Sequence, residues 1–310
     1  MKISSKKLIV FIMVSLAIII FQVGSVSAEE FDLKLNLQEN NTYIMEMEMG
    51  QEIDFSMFGM EIYMHQSTDM KYNLEIKEIT DDDNYLAEGK ITNFVYKLED
   101  YNFQDFSTEE EEQVKKEMNR EMENMREAIE NKPFEITFSR YGEMLDAEEY
   151  QELLKSLYNN DDEIMALEDE PFLSNWDYAI DYIPDSPVSI GESWEQTLEI
   201  STPMLMEIIT NYTLYDISDD KIILDLDSNI SMEQFDTSEL MPAEDLTFNM
   251  NISGSQSGQI NLERESRWIK ESELKQNFSG ELEMKEDGQE SPFVIPMEAT
   301  TIISTKGSVE

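Results

Sequence analysis

The run Met45–Met49 reads Met-Glu-Met-Glu-Met. A period of two is the repeat of a β-strand, because successive side chains point to opposite faces of a sheet. One face of this strand is therefore predicted to be buried and the other hydrated. The same alternation begins earlier, where Phe31, Leu33, Leu35 and Leu37 occupy every second position, so a first strand is predicted there.

Similar alternation recurs along the rest of the chain and predicts a strand-rich protein. The cluster Asp81-Asp82-Asp83-Asn84 is typical of a turn between two strands. The glycines of Gly254-Ser-Gln-Ser-Gly258 predict a flexible hairpin turn. Strands are predicted at Tyr72–Ile79, Tyr85–Leu98, Phe134–Phe138, Trp194–Ile200, Met204–Ile217, Ile222–Met232, Leu246–Ile252, Gln259–Glu263, Arg267–Met284 (as a hairpin or a bent strand) and Phe293–Thr305.

Helical segments interrupt the strands at about residues 107–131, 146–158 and 172–180. In the first of them, apolar residues recur at helical spacing from Val114 to Ile129, which is the pattern of an amphipathic helix. The second is predicted to begin near Asp146, with Glu149 as the reciprocal partner of a capping box.

The two halves of the chain repeat one order of features: a turn with an aromatic residue, a long hairpin and a short strand. The stretches around Tyr43, Ile76 and Arg140 match those around Trp194, Leu214 and Arg264, in the same order. These matches predict an internal duplication. The fold class is α+β, mainly antiparallel β, with two curved antiparallel sheets and an inserted helical segment. The predicted repeats are residues 29–184, which contain the helices, and residues 185–310.

Residues 1–28 have the order of a secretory signal peptide. Three lysines precede an apolar run from Leu8 to Phe21, and small residues lead to predicted cleavage after Ala28. The apolar run is short for a membrane span, so a retained anchor is the second interpretation. No later segment is apolar enough to cross a bilayer. The sequence therefore predicts a secreted or extracytoplasmic protein, and the lack of cysteine excludes a lipid-anchored form.

The charge of the chain excludes some partners. With 68 acidic residues against 22 Lys plus Arg, the formal net charge is −46. Nucleic acid and anionic membrane surfaces would be repelled. Self-repulsion of this size destabilises a protein in dilute buffer, and salt at about 1 M screens it beyond roughly 3 Å. An acidic surface adapted to brine is therefore predicted.

Recognisable catalytic chemistry is missing from the sequence. The absence of cysteine excludes a thiol nucleophile, and His65 is the one histidine, which excludes a zinc site with two histidines. No nucleophile elbow or phosphate-binding loop is present. The acidic clusters Asp81–Asn84 and Asp161–Glu163 lack the ligand spacing of a calcium loop. We expect no cofactor, no metal and no catalytic site.

Methionine is the most unusual component, with 21 residues. Three interpretations remain: core packing on the inward face of a curved sheet, which is favoured, an adaptable lining for an apolar ligand, and a soft Cu(I) site. The speculative lining residues are Met45, Met47, Met49, Met118, Met122 and Met125.

Two stretches carry a family resemblance, Ser186–Trp194 and Leu35–Tyr43. They resemble an uncharacterised bacterial family of secreted or lipid-anchored envelope proteins with a duplicated β-rich domain. More distantly, the build is similar to lipid and lipoprotein carriers of the LolA and LppX type, in which a curved antiparallel sheet wraps helices and holds an acyl chain. The resemblance implies a fold of that kind but no established activity and no catalytic residues.

Three functions follow as expectations. The first is an exported, non-enzymatic binding protein that encloses an apolar or amphipathic ligand in a curved sheet. The second is a cell-envelope or extracellular interaction module with a solid core and a protein partner. A carboxylate-based extracellular hydrolase is the third, and the predicted extracytoplasmic location is its one support. An interior cavity lined by Met, Leu, Ile and Phe would favour the first, and a filled core the second.

Overall fold

The structure is a computed structural model. It describes residues 30–57, 60–103, 108–158, 182–200, 205–233, 246–286 and 292–310. The predicted signal peptide and the helix predicted at 172–180 lie outside the described residues.

Long antiparallel strands dominate the described chain. The strands are β1 (Glu30–Phe31), β2 (Thr42–Met57), β3 (Met60–Ile79), β4 (Tyr85–Phe103), β5 (Pro133–Phe138), β6 (Met144–Asp146), β7 (Val188–Ser189), β8 (Ser193–Ile200), β9 (Leu205–Ile217), β10 (Lys221–Glu233), β11 (Leu246–Glu263), β12 (Ile269–Glu286) and β13 (Phe293–Val309). The helices are α1 (Thr108–Ile129) and α2 (Glu148–Tyr158). The mainly antiparallel fold class and the inserted helical segment agree with the prediction.

One sheet of eleven strands contains almost all of the β structure, in the order β6-β5-β4-β3-β2-β13-β12-β11-β10-β9-β8. Strands β2–β6 form one half and β8–β13 the other. The halves meet where β2 pairs with β13, from Tyr43 opposite Val309 to Phe55 opposite Met297. The two large sheets expected from the sequence are thus halves of one continuous sheet, and the second sheet is the small pair of β1 and β7.

A single hydrophobic core fills one end of the curved sheet; we call this core the proximal core and this end of the sheet the closed end. Its members come from both halves and include Tyr43, Leu74, Phe138, Leu214 and Leu262. Because side chains from distant strands join one cluster, the sheet must curl so that its inner face encloses this end. Burial raises the pKa of Tyr150, which packs against this core, to about 12, so the phenol there is neutral at ordinary pH.

The segment 32–37 completes the proximal core, but it is not the strand predicted for Phe31–Leu37. β1 ends at Phe31, and the following residues run on without strand pairing. The Leu35 amide donates to the Arg140 carbonyl at 2.9 Å, and the Asn36 amide donates to the Ser266 carbonyl at 2.8 Å. The segment therefore bridges turns of the two halves. Its alternation reflects inward-pointing leucines, since Leu33, Leu35 and Leu37 are at most 2% exposed.

The predicted hairpin turn at Gly254–Gly258 is wrong, because β11 runs through it without a break. Of the two alternatives predicted for Arg267–Met284, a hairpin or a bent strand, the structure has a single strand, β12. These glycines make room for a neighbour. A Cβ at Gly254 would lie 2.5 Å from the Phe278 ring, and one at Gly258 would lie 2.1 Å from the Glu273 carbonyl oxygen.

The two helices lie where the sequence predicts them. The Asp146 carboxylate accepts from the Glu148 amide at 3.2 Å and caps α2. Glu149, predicted as the capping partner, instead accepts from the Glu135 amide of β5 at 2.8 Å, which ties the helix to the sheet. Among the described residues, no helix combines the length and the apolar character needed to cross a membrane.

Candidate functional site

The inner face of the sheet carries no charge at any described side chain of β2–β5 and β8–β13. We define this face by the positions that are in cross-strand register with the buried Tyr43, Leu74 and Leu214. The opposite face is strongly acidic, as along β2, where Glu46, Glu48 and the residues that continue their alternation point outward. The sheet therefore separates a hydrated anionic surface from an uncharged interior.

One row of polar residues crosses this interior, and we call it the polar belt. Each member is directly opposite the next on the neighbouring strand, over eight consecutive strands from β8 through β13 to β2 and β3. In that order the members are Gln196, Thr210, Ser228, Gln256, Gln276, Thr301, Gln51 and Gln66. All are amides or hydroxyls, so the belt is polar without being charged.

Hydrogen bonds between neighbours hold much of the belt together. The Thr210 and Ser228 hydroxyls are 2.9 Å apart. The Gln276 amide donates to Gln256 at 2.6 Å. At the junction of the two halves, the Gln51 amide donates to the Thr301 hydroxyl at 3.1 Å.

The members at both ends of the belt also form hydrogen bonds. The Gln66 amide donates to Gln51, and the Tyr96 hydroxyl donates to Gln66 at 2.7 Å. At the other end, the Gln196 amide donates to the Ile183 carbonyl at 2.8 Å. Buried polar groups are costly unless they are bonded in this way.

The belt separates two apolar regions of the inner face. On one side, the row containing Met49, Ile303, Leu274 and Leu226 belongs to the proximal core. On the other side lies a separate cluster built on Leu198, Ile208 and Ile230, with Met206, Met232 and Phe278 packed against it. We call the described inner-face side chains beyond the belt the distal face: Ile53, Met64, Leu198, Met206, Ile208, Ile230, Met232, Ile252, Phe278, Leu282, Phe293, Ile295, Met297 and Ala299.

The distal face is less enclosed than the proximal core. Leu198, Ile208, Ile230 and Ile295 are buried, but the other ten members are half-buried. Half-buried side chains such as Ile53 keep apolar surface in contact with solvent. A wide, uncharged and partly open apolar surface is suited to an apolar ligand.

Four of the six methionines predicted to line an interior lie on the proximal side of the belt. Met45, Met47 and Met49 are half-buried on the inner face of β2 and pack against the proximal core, as Met125 of α1 does. Met122 is half-buried on the same helix, and the side chain of Met118 lies outside the described part of the chain. The structure thus brings four of the six to one core. Their role as ligand lining stays a prediction.

One buried donor near the belt has no partner among the described residues. The Trp194 Nε1 atom is buried without a hydrogen bond. The ring lies two residues from Gln196 on the same face of β8 and stacks on Tyr212, with ring centroids 5.7 Å apart. This N–H group lies one residue pair from the belt, on its proximal side, and its capacity to donate a hydrogen bond is unused among the described residues.

Two cavities among the described residues differ from the predicted interior, although the second of them includes Phe278 and Ala299 of the distal face. One of about 450 Å³ sits at the closed end and is lined by polar side chains such as Glu263 and Asn41 together with apolar ones such as Trp268. The other, about 390 Å³, involves β11–β13 around Asn277 and Phe278. Neither is lined by methionine, so neither is the interior that the sequence predicts.

Ion pairs on the outer face and at the turns stabilise individual carboxylates. The hydrogen bond and charge of Lys71 lower the pKa of Glu46, at a distance of 2.8 Å. The hydrogen bond of Lys270 similarly lowers the pKa of Asp220 at the closed end. At Glu263, burial acts to raise the pKa, but hydrogen bonds from Ser266 outweigh it and the pKa is lowered.

Metal-ligating side chains do not converge within the described ranges, where no group of three His, Cys, Asp or Glu residues is placed to hold an ion. His65 lies in β3 opposite Glu52 of β2, on the outer face and away from the belt. Of the acidic clusters, Asp81–Asn84 forms the turn between β3 and β4, where Asp83 pairs with Arg140 at 3.2 Å. The cluster Asp161–Glu163 lies outside the described residues.

The belt is the feature that sequence reasoning missed. A signal for it exists in single strands, where one polar residue interrupts an apolar alternation, as Gln51 does between Met49 and Ile53. Ser228 interrupts β10 in the same way, between Leu226 and Ile230. These interruptions become a belt only through the register between strands, which the alternation alone does not determine.

The solved structures that match this chain share little sequence with it. A chain from a structure titled "Lipid-protein interactions in lipovitellin" matches with 8% identity and a TM-score of 0.40, over 89% of this chain and 26% of that one. The chain therefore spans about a quarter of the lipovitellin chain. Pseudomonas aeruginosa OccK7 (OpdD) matches with 6% identity and a TM-score of 0.22, over 87% of this chain and 99% of that one.

No curated protein matches the sequence. One family model does, and it covers residues 82–269, from the turn after β3 to the beginning of β12. This match extends over more than half of the chain and includes strands from both halves of the large sheet. The chain belongs to the family of unknown function DUF6263.

Proposed function

We propose that the protein is an exported, non-enzymatic binding protein that holds an apolar or amphipathic ligand against its inner face, as a lipid or lipoprotein carrier does. The observation that carries the proposal is the distal face, an uncharged apolar surface that spans eight strands and remains half-buried at most positions. When a ligand removes apolar surface of this kind from water, the free energy of the system falls by about 25 cal/mol per Å².

The composition of the distal face supports an adaptable site. It contains Met64, Met206, Met232 and Met297. Methionine is flexible and polarizable, so a surface rich in it accommodates ligands of different shape. Met45, Met47, Met49 and Met125, which pack against the proximal core, remain in the proposal as lining residues, together with Met118 and Met122. A Cu(I) site would instead require several of these sulfur atoms to converge on one ion.

Native mass spectrometry of protein purified from its source tests the proposal directly. An apolar mass that co-purifies, or a long-chain lipid that can be loaded afterwards, is the expected result. Failure to recover or load any apolar molecule would contradict it.

A matched pair of variants locates the site. Ile53→Glu places a carboxylate on the distal face, and Ile302→Glu makes the same change on the outer face, where Ile302 is 51% exposed. We expect Ile53→Glu to weaken loading about tenfold or more, because a bound ligand would desolvate the carboxylate, and Ile302→Glu to leave it unchanged. Should Ile53→Glu lower the melting temperature strongly, Met297→Gln and its outer-face control Val294→Gln repeat the comparison without a charge.

The interaction module remains the second candidate, since the proximal core is filled as that function expects. The two functions differ in what they require of the distal face. A module that acts through its acidic exterior would retain its protein partner in the Ile53→Glu variant, whereas a carrier would lose its ligand. A pull-down at high salt that recovers one specific partner from both Ile53→Glu and wild type would favour the module.

Export into a saline medium is part of the proposal. The signal-peptide pattern of residues 1–28 and the net charge of −46 support it. In the described structure several basic groups pair locally, as Lys71 does with Glu46, while outer carboxylates such as that of Glu48 are exposed to solvent. We expect the melting temperature to rise strongly between dilute buffer and molar NaCl. A flat response would contradict adaptation to brine.

We also infer that the two halves of the chain are repeats. The turn before β2 and the turn before β8 have the same geometry, with positive φ at Asn40 (63°) and at Gly191 (86°). Their amides donate to the carbonyls of Ile76 and Leu214 at 2.8 and 2.7 Å.

A second correspondence lies at the turns of the long hairpins. Arg140 pairs with Asp83 and Arg264 with Asp219, at 3.2 and 3.9 Å. The two arginines correspond in the repeat predicted from the sequence, and each pairs with an aspartate of the neighbouring hairpin turn, although Asp219 is matched there with Asp81 rather than with Asp83. A significant match in a profile comparison of residues 29–184 with 185–310, made across relatives, is the expected result.

A further inference from the structure

The chemistry of the polar belt restricts the ligand. Amide and hydroxyl groups both donate and accept hydrogen bonds, and they carry no charge. The belt lies directly beside the distal face, so a ligand whose chain covers that face would bring its polar group to this row. Gln51, Gln66, Gln196 and Gln276 are half-buried, and their amides form the part of the belt with remaining solvent contact.

Trp194 adds a donor next to the belt, on its proximal side, where the ring packs against the proximal core. Its buried Nε1 atom has no hydrogen-bond partner among the described residues. A buried donor that stays unpaired destabilises the protein, whereas an acceptor supplied by a ligand would satisfy it. The carbonyl oxygen of an ester or an amide is such an acceptor.

Charge excludes the acidic alternatives. No described side chain on the inner face of β2–β5 and β8–β13 is Lys, Arg or His, so a carboxylate or a phosphate placed there would lack a counter-charge. The net charge of −46 adds a general repulsion of anions. A neutral polar group needs no counter-charge and is not repelled by the negative protein.

From these observations we propose that the polar belt and Trp194 bind the ester group of a neutral acyl lipid whose hydrocarbon chain lies on the distal face. This proposal rests on the proposed function and specifies its ligand class. Trp194 donates to the ester carbonyl oxygen, and the half-buried glutamines of the belt surround the adjoining polar atoms.

Three probes of similar chain length test the proposal on the full chain: monooleoylglycerol, oleate and octadecane. Binding is measured by native mass spectrometry and by competition with a fluorescent acyl probe. Monooleoylglycerol is expected to bind at least about tenfold more tightly than oleate, because oleate must bring an unpaired carboxylate into the interior. Octadecane reports the contribution of the hydrocarbon chain alone.

Two tryptophan variants separate the ester contact from general packing. Trp194→Phe removes the N–H group and keeps a ring against Tyr212. We expect it to weaken monooleoylglycerol about three- to tenfold, the effect of one hydrogen bond, and to leave octadecane unchanged. Trp268→Phe is the matched control, because its Nε1 already donates to the Ile44 carbonyl at 3.2 Å in the proximal core. It should change neither affinity.

A glutamine pair gives an independent readout. Gln276→Met removes a belt amide on the inner face, and Gln259→Met makes the same change on the outer face, where the Gln259 amide donates to Asp225 at 2.8 Å. Loss of the preference for monooleoylglycerol over oleate in Gln276→Met alone supports the proposal.

The opposite outcomes contradict the ester proposal, and they differ in what they imply for the proposed function. If oleate binds as tightly as monooleoylglycerol, or if Trp194→Phe weakens the ester and octadecane equally, the belt does not select the ligand, while the proposed function stands. If none of the three probes binds the wild-type chain, the proposed function fails together with this inference.

Discussion

The proximal core and the distal face are built from the same strands and the same period of two, yet they differ in enclosure. In the proximal core, Leu35, Leu74 and Leu214 are completely buried. On the distal face, most described side chains, such as Leu282, are half-buried. The proximal end has an additional layer, since the segment 32–37 and the helix residues Met125 and Ile129 pack onto it.

This difference shows that alternation specifies an apolar face but not what covers it. A strand contributes the same kind of surface along its length, and elements from elsewhere in the chain decide where that surface becomes core. The polar belt lies at the boundary between the two regions, where its side chains bond mainly to one another. Three predictions test whether the boundary is real.

The largest effect is expected from a leucine truncation at the two ends. Leu35→Ala should reduce the free energy of unfolding by about 3–5 kcal/mol, because it leaves a cavity in a filled core. Leu282→Ala should cost about 1 kcal/mol or less, because its surroundings are partly hydrated. Both values come from denaturant titration followed by circular dichroism. Equal losses would mean that the distal face is as well packed as the core.

A smaller effect is expected from the belt itself, at the bonded pair of Thr210 and Ser228, which are 2% and 4% exposed. Thr210→Val leaves the Ser228 hydroxyl unpaired and should cost about 1–3 kcal/mol. The double variant Thr210→Val with Ser228→Ala removes both polar groups and should recover part of that loss. Additive losses in this double-mutant cycle would show that the two hydroxyls are not coupled.

The smallest effect is expected at the closed end, for Glu263→Gln. Because the folded pKa of Glu263 lies below its ordinary value of 4.5, the ionised carboxylate stabilises the fold above that pH. This contribution is lost as the pH falls through the folded pKa. The variant should therefore be less stable than wild type at pH 7, by less than about 1 kcal/mol because the group is partly solvated, and should match wild type below the folded pKa. Melting temperatures from pH 7 to pH 3 measure the gap, and a gap that widens on acidification would contradict the assignment.

Much of the local structure could be predicted from the sequence. The strand alternation at Met45–Met49 and the helical stripe ending at Ile129 depend on neighbouring residues, and both elements form as predicted. Gly254–Gly258 and Phe31–Leu37 were assigned wrongly because the deciding contacts are distant. Gly254 is a glycine because the Phe278 ring packs against it, and not because the chain turns there. The segment after Phe31 is extended because its amides bond to the turns at Arg140 and Ser266.

The candidate site could be predicted only in part. Methionines on an inward face follow from the alternation, but their packing against the proximal core depends on how the sheet curls. The polar belt depends on register across eight strands, and register is set by every pair of neighbours together. Thr301 and Gln51 become neighbours although they are 250 residues apart in the chain.

That pairing of β2 with β13 has a consequence for biosynthesis. A ribosome makes β2 long before β13, so the nascent chain carries β2 with one unsatisfied edge while nearly all of the protein is still being synthesised. Such an edge invites association with other chains, and contacts this distant in sequence form slowly. We expect the nascent chain to need a chaperone that protects β2 until β13 has been translated.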